Sequence, residues 1–110
     1  MMRICLIYGG KSVEHEISIV SANSILNNID RKKYQINGIY ITRNGSFKEA
    51  RIVKKKNGLE FQPTKNKIVF SLGGARPVLI ERNKKITRNI NIDIYFPVVH
   101  GTGGEDGSIQ

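Results

Sequence analysis

A strand, a helix and a second strand within the first 41 residues constrain the fold of this chain more than any other feature. The apolar run Arg3–Tyr8 is typical of a buried strand, and two glycines end it. We predict a helix over Ser12–Ile29, with Ser12 as its N-cap, and a second strand over Tyr34–Ile41. A unit of this kind connects parallel strands, so the pattern predicts an α/β fold.

The predicted helix has one apolar face and an acidic first turn. Glu14 and Glu16 lie in that turn, where the helix dipole favours negative charge. The apolar face follows the spacing i, i+3, i+4, i+7 and consists of Ala22, Ile25, Leu26 and Ile29. We expect this face to pack against the sheet.

The middle of the chain carries weaker β signals. Asn44-Gly45 predicts a hairpin between Ile39–Thr42 and Ser46–Ile52. Short strands are expected over Ile68–Leu72 and Val78–Glu81, on either side of Gly73-Gly74.

Two polar stretches are expected to lack regular structure. Lys54–Lys67 is interpreted as irregular, and Thr87–Ile92 as a polar lead into a last strand over Ile92–Val99. Pro97 is compatible with the end of that strand but not with a central position in a sheet.

Composition excludes several classes of protein. With 110 residues, of which 39% are hydrophobic and 25% charged, the chain is expected to form one globular domain. No apolar run approaches the ~18 residues of a membrane span, so no membrane partner is expected. The single cysteine, Cys5, cannot form an internal disulfide and favours a reducing compartment. We therefore expect a cytoplasmic protein.

The net charge of +9 raises the question of a nucleic-acid partner. Its local clusters are Arg31–Lys33, Lys54–Lys56 and Lys84-Lys85, all in predicted loops and without interleaved aromatic residues. We interpret them as solvated loops and expect no nucleic-acid binding. The alternative is a stand-alone basic module that binds nucleic acid or another polyanion, which requires the clusters to converge on one face.

Two loops follow the carboxyl ends of predicted parallel strands, where ligands bind in open α/β sheets. In the first, residues 9–16, the carboxylate of Glu14 suits a cationic group such as an ammonium. The alternative is that it only complements the helix dipole. The loop has neither G-x-G-x-x-G nor G-x-x-x-x-G-K-[ST], which disfavours an isolated nucleotide-binding or flavodoxin-like domain.

The second loop, residues 100–107, contains four glycines and leads into a predicted helix N-terminus, which suits an anion. His100 could bond a carboxylate, and Glu105 could fix the tautomer of its ring; the alternative is a flexible turn with a surface histidine. Little more than one turn of that helix remains after Asp106, so we expect the chain to be a fragment. His15 and His100, with Glu14 or Glu105, lack metal-ligand spacing, so no metal is expected in this segment.

Together, the loops carry a resemblance to a known family. The segments Gly9–Ser18 and Phe96–Gln110 resemble the N-terminal domain of D-alanine–D-alanine ligase, in order and at the family's spacing. The resemblance covers essentially the whole chain, although residues 48–85 match in pattern only. It implies a small Rossmann-like (pre-ATP-grasp) parallel sheet flanked by helices, with a short hairpin insertion. Residues 1–110 would be the substrate-binding domain, without the ATP-grasp domains.

The resemblance also implies an activity. The ligase joins two D-alanine molecules through an acyl phosphate, with ATP and either Mg²⁺ or Mn²⁺ as cofactors. The dipeptide is used in peptidoglycan, and the activity thereby supports the cell wall and cell shape. The family glutamate that holds the first ammonium matches Glu14, the histidine near its carboxylate matches His100, and the acidic partner of that histidine matches Glu105. Gly101 would line the same site. The second substrate can be D-alanine or D-lactate, and the resemblance does not decide between them. A homodimer is expected of the full-length enzyme. This chain alone is expected to be inactive and to bind no cofactor.

Overall fold

A mixed sheet with a helix on one face organises the residues that the structure describes. The computed structural model describes residues 1–70 and 78–98. In that part, the elements are β1 (Met2–Gly9), α1 (His15–Asn28), β2 (Tyr34–Ile41), β3 (Phe47–Lys55), β4 (Gly58–Phe70), β5 (Val78–Arg82), β6 (Lys85–Ile90) and β7 (Ile94–Val98). The strands lie in the order β6-β5-β4-β3-β2-β1-β7.

The parallel part of the sheet consists of β2, β1 and β7. Ile4 of β1 pairs with Ile36 of β2 on one side and with Ile94 of β7 on the other. The predicted strand–helix–strand unit and the α/β class are thereby confirmed. The last strand is shorter than predicted, and Val99 lies outside the described residues. Pro97 lies near the end of β7, an edge strand of the described sheet, which is a position where proline is tolerated.

The antiparallel part is larger than the short hairpin insertion that the resemblance implies. The predicted hairpin is confirmed, since Gly38 of β2 pairs with Ala50 of β3. The sheet continues through β4, β5 and β6, each antiparallel to the strand before it. The irregular interpretation of Lys54–Lys67 was wrong because β4 occupies most of it, and the polar lead over Thr87–Ile92 was wrong because β6 occupies residues 85–90.

Backbone bonding explains why the polar sequence of β4 forms a strand. Asn27 of α1 donates from its amide to the carbonyl of Leu59 and accepts from the N–H of Leu59, both at 2.8 Å. The side chain of Asn23 accepts a further bond from the N–H of Phe61 at 2.9 Å. These bonds, together with pairing to β3, satisfy the backbone of β4 whatever side chains it carries. Hydropathy alone therefore misses this strand.

The core lies on both faces of the sheet because side chains alternate along each strand. On the helix side, Leu6 and Tyr8 pack with Leu26 and Phe61. The predicted apolar face of α1 is confirmed, and Ala22 and Leu26 are its buried residues. On the other side, a second cluster consists of Cys5, Ile39, Ile68, Ile80 and Ile92.

The three basic clusters do not form one continuous surface. All three precede or join strand ends that point away from the carboxyl ends of β1 and β2. However, β5 pairs with β4 only from Lys67 onward, whereas β3 pairs with β4 as far as Gly58. The turn that contains Lys84 is therefore displaced along β4 from the turn that contains Lys56 by roughly 25 Å, at ~3.3 Å per residue. This separation disfavours a continuous polyanion surface.

Candidate functional site at the carboxyl ends of β1 and β7

The end of β1 is tied to the end of β2 by a glycine turn. Gly9 and Gly10 have φ angles of +94° and +107°, which residues with a Cβ rarely adopt. A Cβ on Gly9 would also overlap the carbonyl oxygen of Ile41. The N–H of Gly10 donates to that same carbonyl at 2.8 Å. The sequence thus needs these glycines for close approach of two strand ends.

The helix begins later than predicted. Ser12 is not the N-cap, because the helix begins three residues later, at His15. The hydroxyl of Ser12 accepts from the N–H of Glu14 at 2.9 Å and so closes a turn before the helix. The carbonyl of Ser12 accepts from the N–H of His15 at 3.1 Å. Glu14 therefore occupies the N-cap position and α1 begins at His15; the Glu14 side chain makes no capping bond.

Glu14 carries an orphaned buried oxygen at the edge of the sheet. Its side chain is half-buried, and its Oε1 atom is shielded from solvent with no hydrogen-bond partner among the described residues. A buried carboxylate oxygen normally accepts a hydrogen bond, since leaving it unpaired costs about 1–3 kcal/mol or more. A cationic donor at this position would satisfy it. The dipole-complementing interpretation of Glu14 does not account for this burial.

Glu16 has a separate role, although the sequence placed it beside Glu14. Its carboxylate is exposed and pairs with the guanidinium of Arg43 at 2.8 Å. This pair connects α1 to the turn between β2 and β3. Because both partners are well solvated, the pair adds little to stability. Glu16 thus serves as an internal comparison for Glu14.

His15 is a central residue of the site that sequence reasoning considered only as a metal ligand. It is 2% exposed, with Nδ1 2.5 Å from the carbonyl of Gly10 and Nε2 2.9 Å from the hydroxyl of Tyr40. Ser18, also buried, accepts from the N–H of Gly9 at 2.7 Å and donates to the carbonyl of His15 at 3.0 Å. His15 and Ser18 therefore hold the glycine turn against α1.

Helical spacing could have identified both residues. The buried residues of α1 are His15, Ser18, Ala22 and Leu26, at intervals of three, four and four. Two polar residues thus extend the apolar face toward the helix N-terminus. A buried polar side chain at that position needs partners, and the adjoining glycine turn supplies them.

An aromatic group lies behind the glycine turn. The ring of Tyr8 is 5.4 Å from that of Tyr40 and 5.4 Å from that of Phe61, measured between centroids. The Tyr8 hydroxyl is buried and has no partner among the described residues. Burial, with a smaller contribution from Tyr40, raises the pKa of Tyr8 above its usual range, so its hydroxyl stays protonated. Tyr8 is thus an unionised donor beside the site.

The second predicted loop lies outside the described residues. His100, Gly101 and Glu105 belong to it, as does the helix start predicted near Gly107. The last residue of β7, Val98, pairs with Tyr8 of β1. The chain therefore arrives at the same edge as the Gly9–Glu14 loop, two residues before His100.

Residues 1–70 and 78–98 contain neither a metal centre nor a membrane-spanning helix. No three His, Cys, Asp or Glu side chains come together there. No helix in that part combines the length and apolarity needed to cross a bilayer. A cavity of about 240 Å³ lies away from Glu14, on the face opposite α1, where it is lined in part by Cys5, Ile39 and Ile92. The Glu14 site is instead an open edge.

Comparison with known proteins identifies relatives of the whole chain. The family model described as "D-ala D-ala ligase N-terminus" matches residues 3–110. The D-alanine–D-alanine ligase of Chloroherpeton thalassium is 40% identical over 98% of this chain and 31% of its own length.

Solved structures agree in fold. The VanG D-Ala:D-Ser ligase of Enterococcus faecalis is 29% identical, with a TM-score of 0.68, over 98% of this chain and 32% of its own. The D-alanine–D-alanine ligase of Coxiella burnetii is 31% identical, with a TM-score of 0.64, over 98% of this chain and 31% of its own. The chain spans about a third of the length of these relatives. With the family model matched over almost every residue, the chain belongs to the D-alanine–D-alanine ligase family, of which it represents the N-terminal domain.

Proposed function

We propose that this chain supplies the first D-alanine site of an ATP-dependent D-alanine–D-alanine ligase. The observation that carries the proposal is the buried, unpartnered Oε1 of Glu14 at the carboxyl end of β1. An ammonium group provides the missing donors and the opposite charge. Family membership supports the choice of an amino acid as its source.

The second loop completes the proposed site. His100 binds the carboxylate of the first D-alanine, Gly101 lines the site, and Glu105 bonds the other ring nitrogen of His100 and fixes its tautomer. An amino acid presents an ammonium to Glu14 and a carboxylate to His100 in one molecule. A structure of the loop with the Glu105 carboxylate more than about 6 Å from the His100 ring would contradict this pairing, because a single water could hardly bridge that gap.

The proposed reaction joins two D-alanine molecules. The carboxylate of the first takes the γ-phosphoryl group of ATP to give an acyl phosphate and ADP. The amine of the second attacks the acyl carbon, loses a proton, and displaces inorganic phosphate to leave the dipeptide. The three site residues, Glu14, His100 and Glu105, position and polarise the substrate and form no covalent bond to it.

Several parts of the proposal concern the longer enzyme. Mg²⁺ or Mn²⁺ would neutralise phosphate charge in the phosphoryl-transfer step, and no cluster among the described residues of this chain fits such an ion. We propose that the ATP and metal sites lie in ATP-grasp domains outside this segment. We also propose a cytoplasmic homodimer that makes the dipeptide for peptidoglycan and so maintains the cell wall and cell shape. The second substrate, D-alanine or D-lactate, is selected outside this segment.

Exchange of Glu14 tests the proposal. In a ligase that contains this domain, Glu14→Gln should raise the KM for the first D-alanine by roughly tenfold to a hundredfold, since a charge-assisted bond is worth about 1.5–3 kcal/mol. The matched control is Glu16→Gln, which changes the same charge two residues away and should alter the KM by less than about twofold. Unchanged kinetics in both variants would return Glu14 to its dipole-complementing role.

A further inference from the structure

A second polar cleft lies where the β5–β6 hairpin ends beside β4. The hairpin turns at Asn83 and Lys84, whose φ angles of +55° and +64° fit a tight two-residue connection. β5 pairs with β4 only over residues 67–70, so the turn falls beside the middle of β4 rather than beside its start. Because the hairpin stops short of the start of β4, a cleft of about 430 Å³ remains beside it. The cleft is lined by Arg51, Thr64, Lys65, Asn66, Arg82 and Asn83.

The residues that line the cleft are hydrogen-bond donors and cations, with no acid among them. Each of the six residues has a side-chain N–H or O–H donor, none has a carboxylate, and three are cations. Lys65 and Arg82 are exposed and take part in none of the ion pairs found among the described residues. Arg51 lies 4.0 Å from a carboxylate oxygen of Glu49, at the limit of an ion pair. The cleft therefore carries excess positive charge.

The neighbouring acid does not cancel that charge. Glu49 is buried, and its carboxylate already bonds the guanidinium of Arg88 and, at 2.7 Å, the side-chain amide of Asn66. The charge of Glu49 is thus offset by Arg88, which does not line the cleft. Three cationic side chains, one each from β3, β4 and β5, therefore line the cleft.

The floor of the cleft is held in place by its own bonds. Thr64 donates to the backbone carbonyl of Glu49 at 3.2 Å and accepts from the N–H of Asn66 at 3.1 Å. Because these residues are fixed, the donors around them need less reorganisation to meet an anion. The other wall is formed by the adjoining turn at Asn83.

We propose that this cleft binds a phosphate group. A tetrahedral dianion matches a concave set of three cations and an amide donor, and guanidinium groups bind phosphate oxygens in pairs. None of the six described lining residues is aromatic, which leaves the cleft without the stacking platform that single-stranded nucleic acid uses. The group therefore comes from free phosphate or from a small phosphate-bearing molecule.

The site is independent of the proposed ligase site. The lining residue nearest to β1 in the strand order is Arg51 of β3, and β2 lies between these two strands, so the two sites are about 10 Å or more apart across the sheet at ~4.8 Å per strand. Phosphate binding here requires nothing from Glu14. Failure of either proposal leaves the other intact.

Titration of this chain with inorganic phosphate, monitored by backbone amide NMR, tests the inference. We expect saturable shifts at residues 51, 64–66 and 82–83 below about 20 mM phosphate. The triple variant Arg51→Gln, Lys65→Gln, Arg82→Gln should bind about tenfold more weakly or worse, since it loses all three charged contacts. The control Lys32→Gln, Lys55→Gln, Lys56→Gln removes the same charge away from the cleft and should bind within about twofold of the parent.

Further titrations distinguish free phosphate from a phosphate-bearing molecule, and a second variant is available if the first does not fold. Adenosine monophosphate that binds tighter than phosphate supports a phosphate-bearing small molecule, and equal affinity supports free phosphate. An equal loss in both triple variants, or no saturable shift in the parent, overturns the site. So does an oligonucleotide that binds more tightly than phosphate and is weakened equally by both variants. If the triple variant does not fold, the exposed pair Lys65→Gln, Arg82→Gln replaces it, with the same expected direction.

Discussion

The Nε2 atom of His15 lies 2.9 Å from the hydroxyl oxygen of Tyr40, and this contact fixes the first turn of α1 to the end of β2. A backbone carbonyl only accepts, so the ring donates from Nδ1 to Gly10, and in the neutral form of that tautomer Nε2 accepts from the hydroxyl of Tyr40. Both ring nitrogens are therefore used within the protein. The buried ring of His15, the residue after Glu14, thus ties the helix start to the Gly9-Gly10 turn at the edge of the sheet, and this contact helps to place the Glu14 carboxylate at that edge.

Removal of either partner should cost stability, and removal of both should cost less than the sum. Tyr40→Phe leaves Nε2 of His15 unpaired, and His15→Ala leaves the Gly10 carbonyl without its donor, so we expect losses of about 1–3 kcal/mol each. Urea denaturation of both single variants and the double variant gives the coupling. Tyr34→Phe, at the other end of the same strand, is the control and should cost less than about 0.5 kcal/mol. Strictly additive losses would show that the two side chains contribute no interaction free energy to stability.

Substitutions at Gly38 and Phe61 should affect stability in a coupled way, because a side chain at residue 38 would clash with the Phe61 ring. A Cβ on Gly38 would lie 2.5 Å from two carbon atoms of the Phe61 ring, and that ring is buried and stacked on Tyr8. Gly38→Ala should therefore lower the free energy of unfolding by about 1–3 kcal/mol through overpacking. Urea denaturation measures this loss, and in combination with Phe61→Leu the same exchange should cost less than it does alone, because the smaller side chain makes room. A full, unchanged penalty in the presence of Phe61→Leu would contradict the assigned clash.

Stability should fall at alkaline pH because of Cys5. Burial raises the pKa of the Cys5 thiol from 9.0 to about 12. The folded state thus keeps a proton that the unfolded state releases, so the contribution to stability is complete below pH 9 and is lost as the pH rises toward 12. The slope is at most about 1.4 kcal/mol per pH unit in that window.

Comparison of the parent with Cys5→Ala isolates this effect from other alkaline titrations. Urea denaturation at about pH 8 and about pH 10.5 should give a loss that is about 1–2 kcal/mol larger in the parent than in the variant. Equal losses would mean that the thiol ionises as readily in the folded state as in the unfolded state.

The isolated chain should release no phosphate from ATP in the presence of Mg²⁺ and D-alanine. Phosphoryl transfer needs a metal and a cationic clamp on the phosphates at the same time, and the sequence has no G-x-x-x-x-G-K-[ST] loop. A phosphate-release assay, run beside an intact D-alanine–D-alanine ligase as the positive control, measures this. Turnover above the buffer blank that His100→Ala abolishes would show that the catalytic machinery lies within the chain.

The candidate site was accessible to sequence reasoning only in part. Glu14 follows a strand end, so its place at the ligand edge could be predicted. The separation of Glu14 from Glu16 could not, because the start of α1 depends on the turn that Ser12 closes. The partners of His15 could not be predicted either, since Tyr40 is 25 residues away and reaches it only when β1 and β2 pair.

Local sequence pattern is enough to predict the parallel unit of β1, α1 and β2, whereas the rest of the sheet depends on pairing between distant segments. In β1, α1 and β2, apolar periodicity and glycine positions agree with the final burial, so local pattern is sufficient. In β6 most side chains are exposed and polar, and in β4 polar residues interrupt the apolar ones between Phe61 and Ile68. These strands form because neighbouring strands, and for β4 also Asn23 and Asn27, satisfy their backbones. Backbone hydrogen bonds between distant segments leave no hydropathy pattern, and only the folded arrangement reveals them.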